Sequence, residues 1–247
     1  MTTITIDRPP VNAMSARVVV ALESALDALA TEPATRVALL RGAGERGFTA
    51  GADIAEFPLL LERDADAGRE GIQRLADKID SFPKPIIVAI HGFCLGGGLE
   101  IALACDIRIA AEDAQIGLPE IRLGLLPGGG GTQRLPRFIG PGRARLMMLS
   151  GGPISGRRAY EWGLVEDVVE LSRLFESAAA LARSLAARSP FALGVLKALG
   201  SATRDASLAD GLLAERAAFI RCLAHADGRE GITAFLQKRE PHWGATA

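Results

Sequence analysis

Cysteine and histidine are scarce in this chain, three of each, and neither is spaced to hold a metal. The odd cysteine count, with Cys94 and Cys105 inside an apolar stretch, excludes a disulfide framework and suits a reducing cytosol. An excess of charge is also missing: 28 Lys and Arg against 29 Asp and Glu leave a net charge of −1. That gives no electrostatic basis for binding nucleic acid or an anionic membrane. Long apolar runs are absent too. Pro85 to Leu99 is uncharged for 15 residues but is interrupted by His91 and glycines, so it is too short and too broken to span a bilayer. Asp7, Arg8 and Pro9 interrupt the N-terminus, so no signal peptide is expected. There is no low-complexity tract and no G-x-S-x-G elbow. The glycines from Gly128 lack the Lys-Ser/Thr of a phosphate loop.

What the chain does contain is apolar residues, 49% against 23% charged over 247 positions. This suits one α/β domain, or one with a helical appendage. Pro85 to Cys105 organises the whole. Pro85 to Ile90 reads as a strand buried on both faces, and Gly96 to Gly98 as a turn. The helix that these glycines open is apolar nearly all round. The one charge between Lys84 and Asp106 is Glu100. A lone buried carboxylate must be paired, protonated or functional. The glycines leave backbone N–H groups bare at the helix start, where negative charge is favoured. An arginine partner for Glu100 is the plain alternative.

Along the chain, Thr2 to Ile6 alternates as a strand, and a helix comes next with Val18, Val19, Leu22, Ala25, Leu26 and Leu29 on one face. Val37 to Arg41 is predicted as a strand and Gly42 to Asp53 as a loop. A second helix carries Ile72, Leu75, Ile79 and Phe82. After the central unit come a strand at Ile107 to Ala110, a turn at Leu118-Pro119-Glu120, a glycine loop leading into a helix with Gln133 and Arg134, a helix capped by Ser155, and a strand at Leu164 to Val169. From Arg173 the pattern is entirely helical, with apolar stripes Leu208, Leu212, Phe219, Ile220, Leu223 and Ile232, Phe235, Leu236.

Gly42 to Gly47 fits G-x-G-x-x-G after a predicted strand. A nicotinamide site would also need a helix directly after it and an acid about 20 residues on; the residues from Phe48 to Asp53 have no helical pattern. Glu120 is a second carboxylate in an apolar setting, and alone it reads as a helix-start acid after a proline. Together with Glu100, a bare-amide turn and glycine loops at Gly51 and Gly128, it completes a set suited to proton transfer beside a carbonyl whose oxygen gains charge.

In these residues the sequence resembles the crotonase superfamily, most closely its enoyl-CoA hydratases. Ile4 to Pro9 with Val11-Asn12-Ala13, Phe48 to Ile54, Lys84 to Glu100 with Cys105-Asp106, Gly117 to Glu120, Gly124, Pro127 to Leu135, Ala159 to Val165 and Asp227 to Arg239 match that family's blocks in order and spacing over nearly the whole chain. The resemblance implies an α/β, crotonase-like (ClpP/crotonase) spiral of ββα units over residues 1–189. It implies a helical trimerisation region over 190–247, and a homo-trimer or hexamer. It also implies an acyl-CoA thioester as ligand, with no metal or other cofactor.

Carried over residue by residue, the amides of Ala52 and Gly97 form an oxyanion hole, Glu100 and Glu120 are the catalytic pair, and Ala50, Asp53, Ile54, Gly96 and Gly128 bind substrate. The expected reaction is addition of water to a 2-enoyl-CoA. Glu100 takes the proton from water as an anion favoured by its helix N-terminus, and Glu120 gives the α-proton. Double-bond isomerisation, a silent acyl-CoA binder and a nicotinamide oxidoreductase resting on Gly42 to Gly47 are the rival readings. Two departures stand out. Leu118 occupies a position that is often glutamine in hydratases, which predicts a drier setting and a raised pKa for Glu120. The chain also starts about one hairpin earlier in the motif order than the family does, so a truncated first strand or a misassigned start codon is expected.

Overall fold

The computed structural model describes residues 1–58 and 71–244. Its centre is β4 (Ile86–Ile90), five apolar residues that are all buried. A strand covered on both faces needs neighbours and two covering layers. In the larger sheet the order is β1 (Thr2–Ile6), β2 (Ala38–Gly42), β4, β6 (Ile107–Ala111) and β9 (Asp167–Val169), and every neighbouring pair is parallel. A smaller sheet runs β3 (Gly47–Thr49), β5 (Phe93–Leu95), β7 (Gln115–Gly117) and β8 (Ile154–Ser155).

The two sheets are linked by a repeated unit. A strand of the large sheet turns a corner into a strand of the small one, and a helix comes after it. The three units are β2–β3 with α2 (Ile72–Asp80), β4–β5 with α3 (Gly97–Ala104), and β6–β7 with α4 (Gly131–Ser150). This is the α/β spiral of ββα units.

The short strands correct the sequence reading. Gly42 to Asp53 holds β3 rather than only a loop, and β5 intervenes between the central strand and its helix. Three residues are too few for a period-two pattern to register. These strands exist because they pair with one another, Thr49 with Cys94 and Cys94 with Ile116. Gly42 to Gly47 lies at the corner between β2 and β3 and opens no helix.

Helices then cover the large sheet. α1 (Ala16–Thr31) buries Val19, Leu22 and Leu26 of its predicted face. α6 (Leu171–Ala186) buries Leu174, Ala178 and Ala182. Ser155 caps α5 (Gly156–Trp162), accepting from the Arg158 amide. All eight residues of α3 are buried, as its unbroken apolar pattern requires. Among the described residues no helix is long and apolar enough to cross a membrane.

The C-terminal part comprises α7 (Pro190–Ala202), α8 (Leu208–Ala224) and α9 (Ala226–Leu236). Leu193 packs on the core, and polar contacts pin the rest. Lys197 Nζ, 5% exposed, donates to Asp106 Oδ2 at 2.8 Å and to the carbonyls of Ile79 at 3.1 Å and Lys84 at 3.2 Å. Ser189 Oγ donates to Asp227 Oδ2 at 2.6 Å, tying the start of α7 to α9. The predicted apolar stripes find little cover among the described residues: Leu208 is 80% exposed, Phe219 66% and Phe235 82%. Leu208 and Leu212 also line an open cleft of about 410 Å³ between α7 and α8.

The Lys197 contact generates a stability prediction. Lys197→Met leaves Asp106, whose pKa burial already raises, without the cation bonded to it, Arg108 acting only as a more distant charge. Breaking one side of such a pair costs about 3 kcal/mol, a fall of about 6–12 °C in melting temperature for a domain of this size, measurable by calorimetry. An unchanged melting temperature would show that α7 is held by packing alone.

Candidate active site

The site forms where the first turn of α3 meets three glycine-containing segments. Gly96 precedes α3 in a positive-φ conformation and donates its own N–H to the Gly117 carbonyl at 2.9 Å. That bond ties α3 to β7, and hence to the turn that carries Glu120. On the other side, the segment after β3 is threaded against the N-terminal strand turn. Met14 N–H donates to the Gly51 carbonyl at 2.8 Å, and Asp53 N–H donates to the Met14 carbonyl at 3.1 Å.

These two bonds leave the intervening Ala52 amide without an acceptor among the described residues, and the Gly97 amide at the start of α3 likewise has none. The two are close. A Cβ placed on Gly97 would lie 3.5 Å from the Ala52 nitrogen, and one on Gly51 would lie 3.2 Å from the Gly97 nitrogen. Gly98 permits this approach, since a Cβ there would come within 2.6 Å of Thr49 Cγ2. Two amides without acceptors among the described residues thus lie close together, and paired donors of this kind are what an oxyanion requires.

Glu100 lies one turn into α3 and is 2% exposed. Its Oε1 accepts the N–H of Gly129 at 2.7 Å and of Gly131 at 2.8 Å. These donors belong to the glycine loop that opens α4, not to the start of its own helix. Sequence reasoning missed both, because they lie 29 and 31 residues away and no local spacing marks them. Glu100 does stand in the first turn of its own helix, the place expected to favour its anion, but its deep burial opposes that charge. Burial pushes its pKa up; the Gly131 and Gly129 amides and the Arg134 charge only partly offset this. Arg134 stands nearby but bonds Asp77 and the Gly129 carbonyl rather than the carboxylate.

Glu120 opens a short 3₁₀ turn, Glu120–Leu123, after Pro119. Its carboxyl faces Gly96: a Cβ placed there would lie 3.0 Å from Oε1. Oε2 is buried with no hydrogen-bond partner among the described residues. Burial pushes its pKa up to about 7, and the neighbouring Glu100 charge adds to the rise. The predicted rise is thus present. Leu118, fully buried, contributes on the Glu100 side. A Cβ on Gly131 would meet Leu118 Cδ1 and Glu100 Oε1 at 3.0 Å each.

The structure thus brings Glu100, Glu120, Ala52, Gly96 and Gly97 together. Ala50, Asp53 and Ile54 lie on the adjoining turn. Ala50 N–H is given to the Val11 carbonyl at 3.0 Å. Asp53 is paired with Arg8 at 2.6 Å and caps the Ile54–Glu56 turn, and Ile54 is exposed. Gly128 is at the exposed edge of the glycine loop.

This fold and this site define a crotonase-type protein. The family model described as "Enoyl-CoA hydratase/isomerase" matches residues 1–246. A "Probable enoyl-CoA hydratase" of Bacillus subtilis is 46% identical over 97% of this chain and 93% of its own length. The "2,3-dehydroadipyl-CoA hydratase" of Escherichia coli is 40% identical over 96% and 92%, and a "Carnitinyl-CoA dehydratase" of Salmonella arizonae is 38% identical over 97% and 93%. A solved enoyl-CoA hydratase from Bacillus anthracis superposes with a TM-score of 0.90 at 38% identity, covering 99% of this chain and 96% of that one. The chain belongs to the enoyl-CoA hydratase/isomerase family.

The glycine loop supplies a paired test. A methyl group on Gly129 would stand 2.5 Å from Glu100 Oε2 and must push the carboxylate off its amides. Gly129→Ala should therefore lower the melting temperature, in line with the cost of an unsatisfied buried polar group, about 1–3 kcal/mol. Gly128→Ala, with nothing within 4 Å of the added atom, is the control and should melt as wild type. Equal melting of the two variants would refute the assigned packing.

Proposed function

We propose that this chain is an enoyl-CoA hydratase that adds water across the 2,3 double bond of a 2-enoyl-CoA to give the 3-hydroxyacyl-CoA, with no metal or nicotinamide required. The observation that carries the reading is the pair of differently held glutamates beside two free amides. A double-bond isomerase needs the amides and one base; two carboxyls with different partners suit a reaction that takes one proton and gives another.

In this mechanism the thioester oxygen lies on the Ala52 and Gly97 amides. These favour the enolate-like transition state over the ground state, each worth about 2.7–4 kcal/mol by analogy with other oxyanion donors. Glu100 keeps one oxygen on its two loop amides, and its other oxygen draws the proton from the water that attacks the β-carbon. Glu120, with an unpartnered oxygen and a pKa of about 7, delivers a proton to the α-carbon. The CoA portion runs along the turn of Ala50, Asp53 and Ile54, with Gly96 and Gly128 flanking the reacting atoms. The chain acts as a trimer or hexamer in the cytosol, with residues 190–247 as its assembly region and the uncovered stripes of α8 and α9 as the contact.

Crotonyl-CoA and longer 2-enoyl-CoA thioesters should lose their enoyl absorbance with no addition but water. Absence of turnover across a broad panel by folded protein would sink the proposal, and shifted double bonds without hydration would replace it by isomerisation. Glu100→Gln and Glu120→Gln should each lower turnover by about 10²–10⁴ while thioester binding persists. Exchange of the α-hydrogen of a 3-hydroxyacyl-CoA into deuterated water should be abolished in Glu120→Gln and partly kept in Glu100→Gln. The pH dependence has two limbs. Glu120 acts while protonated, so the rate should fall as pH rises through about 7. Glu100 acts as the anion, so the rate should also fall on the acid side, at a pH above the usual carboxylate range.

Assembly is checked separately. Light scattering at micromolar concentration should give the mass of three or six chains, because apolar stripes of this extent need a partner surface. A monomer mass would refute it.

A further inference from the structure

The hydratase mechanism uses two glutamates and two amides, and leaves unexplained a buried cation directly behind them. Arg134 lies in the first turn of α4, and its side chain is 13% exposed. Its Nη2 donates to Asp77 Oδ1 of α2 at 2.8 Å, and its Nη1 donates to the Gly129 carbonyl at 3.3 Å. The guanidinium packs on Gly130, where any Cβ would collide with Nη1. Gly130 itself has φ of 104°, a conformation open chiefly to glycine. The cation therefore grips the outer side of the same loop whose inner side, through the Gly129 and Gly131 amides, grips Glu100.

We propose that Arg134 is the positioning residue of Glu100: anchored by Asp77, it fixes the Gly129–Gly131 loop that orients the carboxylate and supplies the countercharge behind it.

Three observations carry this. The loop has few internal supports, being a run of glycines from Gly128 to Gly131, so its shape must be imposed from outside. The arginine fork reaches the loop carbonyl and the α2 carboxylate at once, a span that a lysine point charge cannot reproduce. Among the described residues, the charges facing Glu100 from the elements packed on it are Glu120 from the turn after β7 and Arg134 from α4, with Asp77 of α2 behind Arg134; Ile72 and Leu118 supply apolar surface. Arg134 is thus the cation that offsets a carboxylate whose other charged neighbour is an anion.

The kinetic part of the test rests on the hydratase reading; the titration part does not. Arg134→Met and Arg134→Lys are compared with wild type in two measurements. In the first, the Glu100 carboxyl is titrated by carbon-13 NMR in a Glu120→Gln background, with assignment from Glu100→Gln. Arg134→Met should move the titration upward by about one unit, since an opposite charge at this range shifts a carboxylate by about 1–3 units, whereas Arg134→Lys should leave it near its original position. In the second, turnover of crotonyl-CoA is followed against pH. The acid limb of Arg134→Met should move up with the titration, costing about tenfold in rate below the limb for each unit. Arg134→Lys should keep the limb but lose plateau turnover, with KM near wild type in both. An unshifted titration in Arg134→Met overturns the countercharge, and an unchanged plateau in Arg134→Lys overturns the loop-holding role. If Arg134→Met does not fold, that lysine plateau still decides. Lower melting temperatures with neither change would assign Arg134 to packing. If wild type hydrates no enoyl-CoA, the hydratase reading fails while the NMR titration still judges Arg134.

Discussion

The site depends on burying one carboxylate inside a helix that has nothing to offer it. Taking an ionised carboxylate out of water is expensive unless it is hydrogen-bonded. α3 is apolar on every side and wholly buried. The donors must therefore come from another segment, and a backbone amide is the donor that fits so little space. Two amides two residues apart, on Gly129 and Gly131, must both point at one oxygen. That brings the loop main chain so close that a Cβ on Gly129 would strike the other oxygen. The glycine run at the head of α4 is the consequence. α4 in turn has its place relative to α3 set by this contact, and Arg134 and Asp77 extend the arrangement outward to α2.

The same logic governs the bare amides. In the proposed mechanism they meet a developing charge, and such donors must be kept from their own chain's carbonyls, yet held still. Among the described residues neither amide has an acceptor, and that of Gly97 is unpartnered because it starts a helix. The Ala52 amide is unpartnered because its neighbours Gly51 and Asp53 take both bonds to Met14, so the N-terminal turn acts as a clamp on the far side of the site. Small residues at Gly97 and Gly98 let the β3 segment and the α3 turn approach closely. The small sheet of β3, β5 and β7 gives these turns their register, so strands of three residues have an effect out of proportion to their length.

This explains what could be read from the sequence and what could not. β4 and α3 were legible because burial on all sides leaves a run with no polar face, and Glu100 stood out against it. The fold as a whole was legible through motif order. β3, β5 and β7 were not, since each is three residues long and depends on pairing with strands distant in sequence. The partners of Glu100 were not, because a hydrogen bond to a main-chain amide leaves no trace in residue type at the donor beyond a demand for glycine. Glycine is asked for by many things, and Gly42 to Gly47 shows the ambiguity: the same spacing that serves a nucleotide loop here turns a corner between sheets. The stripes at Leu208 to Leu223 were legible as apolar and as more than an appended helix pair could bury, and among the described residues they stay exposed.

The two glutamates differ less in the burial that raises both than in what stabilises each anion. Glu100 as an anion keeps two amide bonds and a cation nearby; Glu120 as an anion has an orphaned buried oxygen and faces the charge of Glu100. Ionising both is penalised by their repulsion, and protonating both forfeits the charge-assisted bonds of Glu100. In the proposed mechanism the working arrangement has one proton between the two, on Glu120, and their titrations belong to the pair. Under the proposed function one acid and one base then result from placement: identical side chains, one held by a loop of amides and the other with a buried oxygen that has no partner among the described residues. For the proposed hydration this is the starting state that water addition needs. The chemistry consumes it by moving a proton onto Glu100 and off Glu120, and transfer back between the two carboxyls or through solvent restores it for the next turnover.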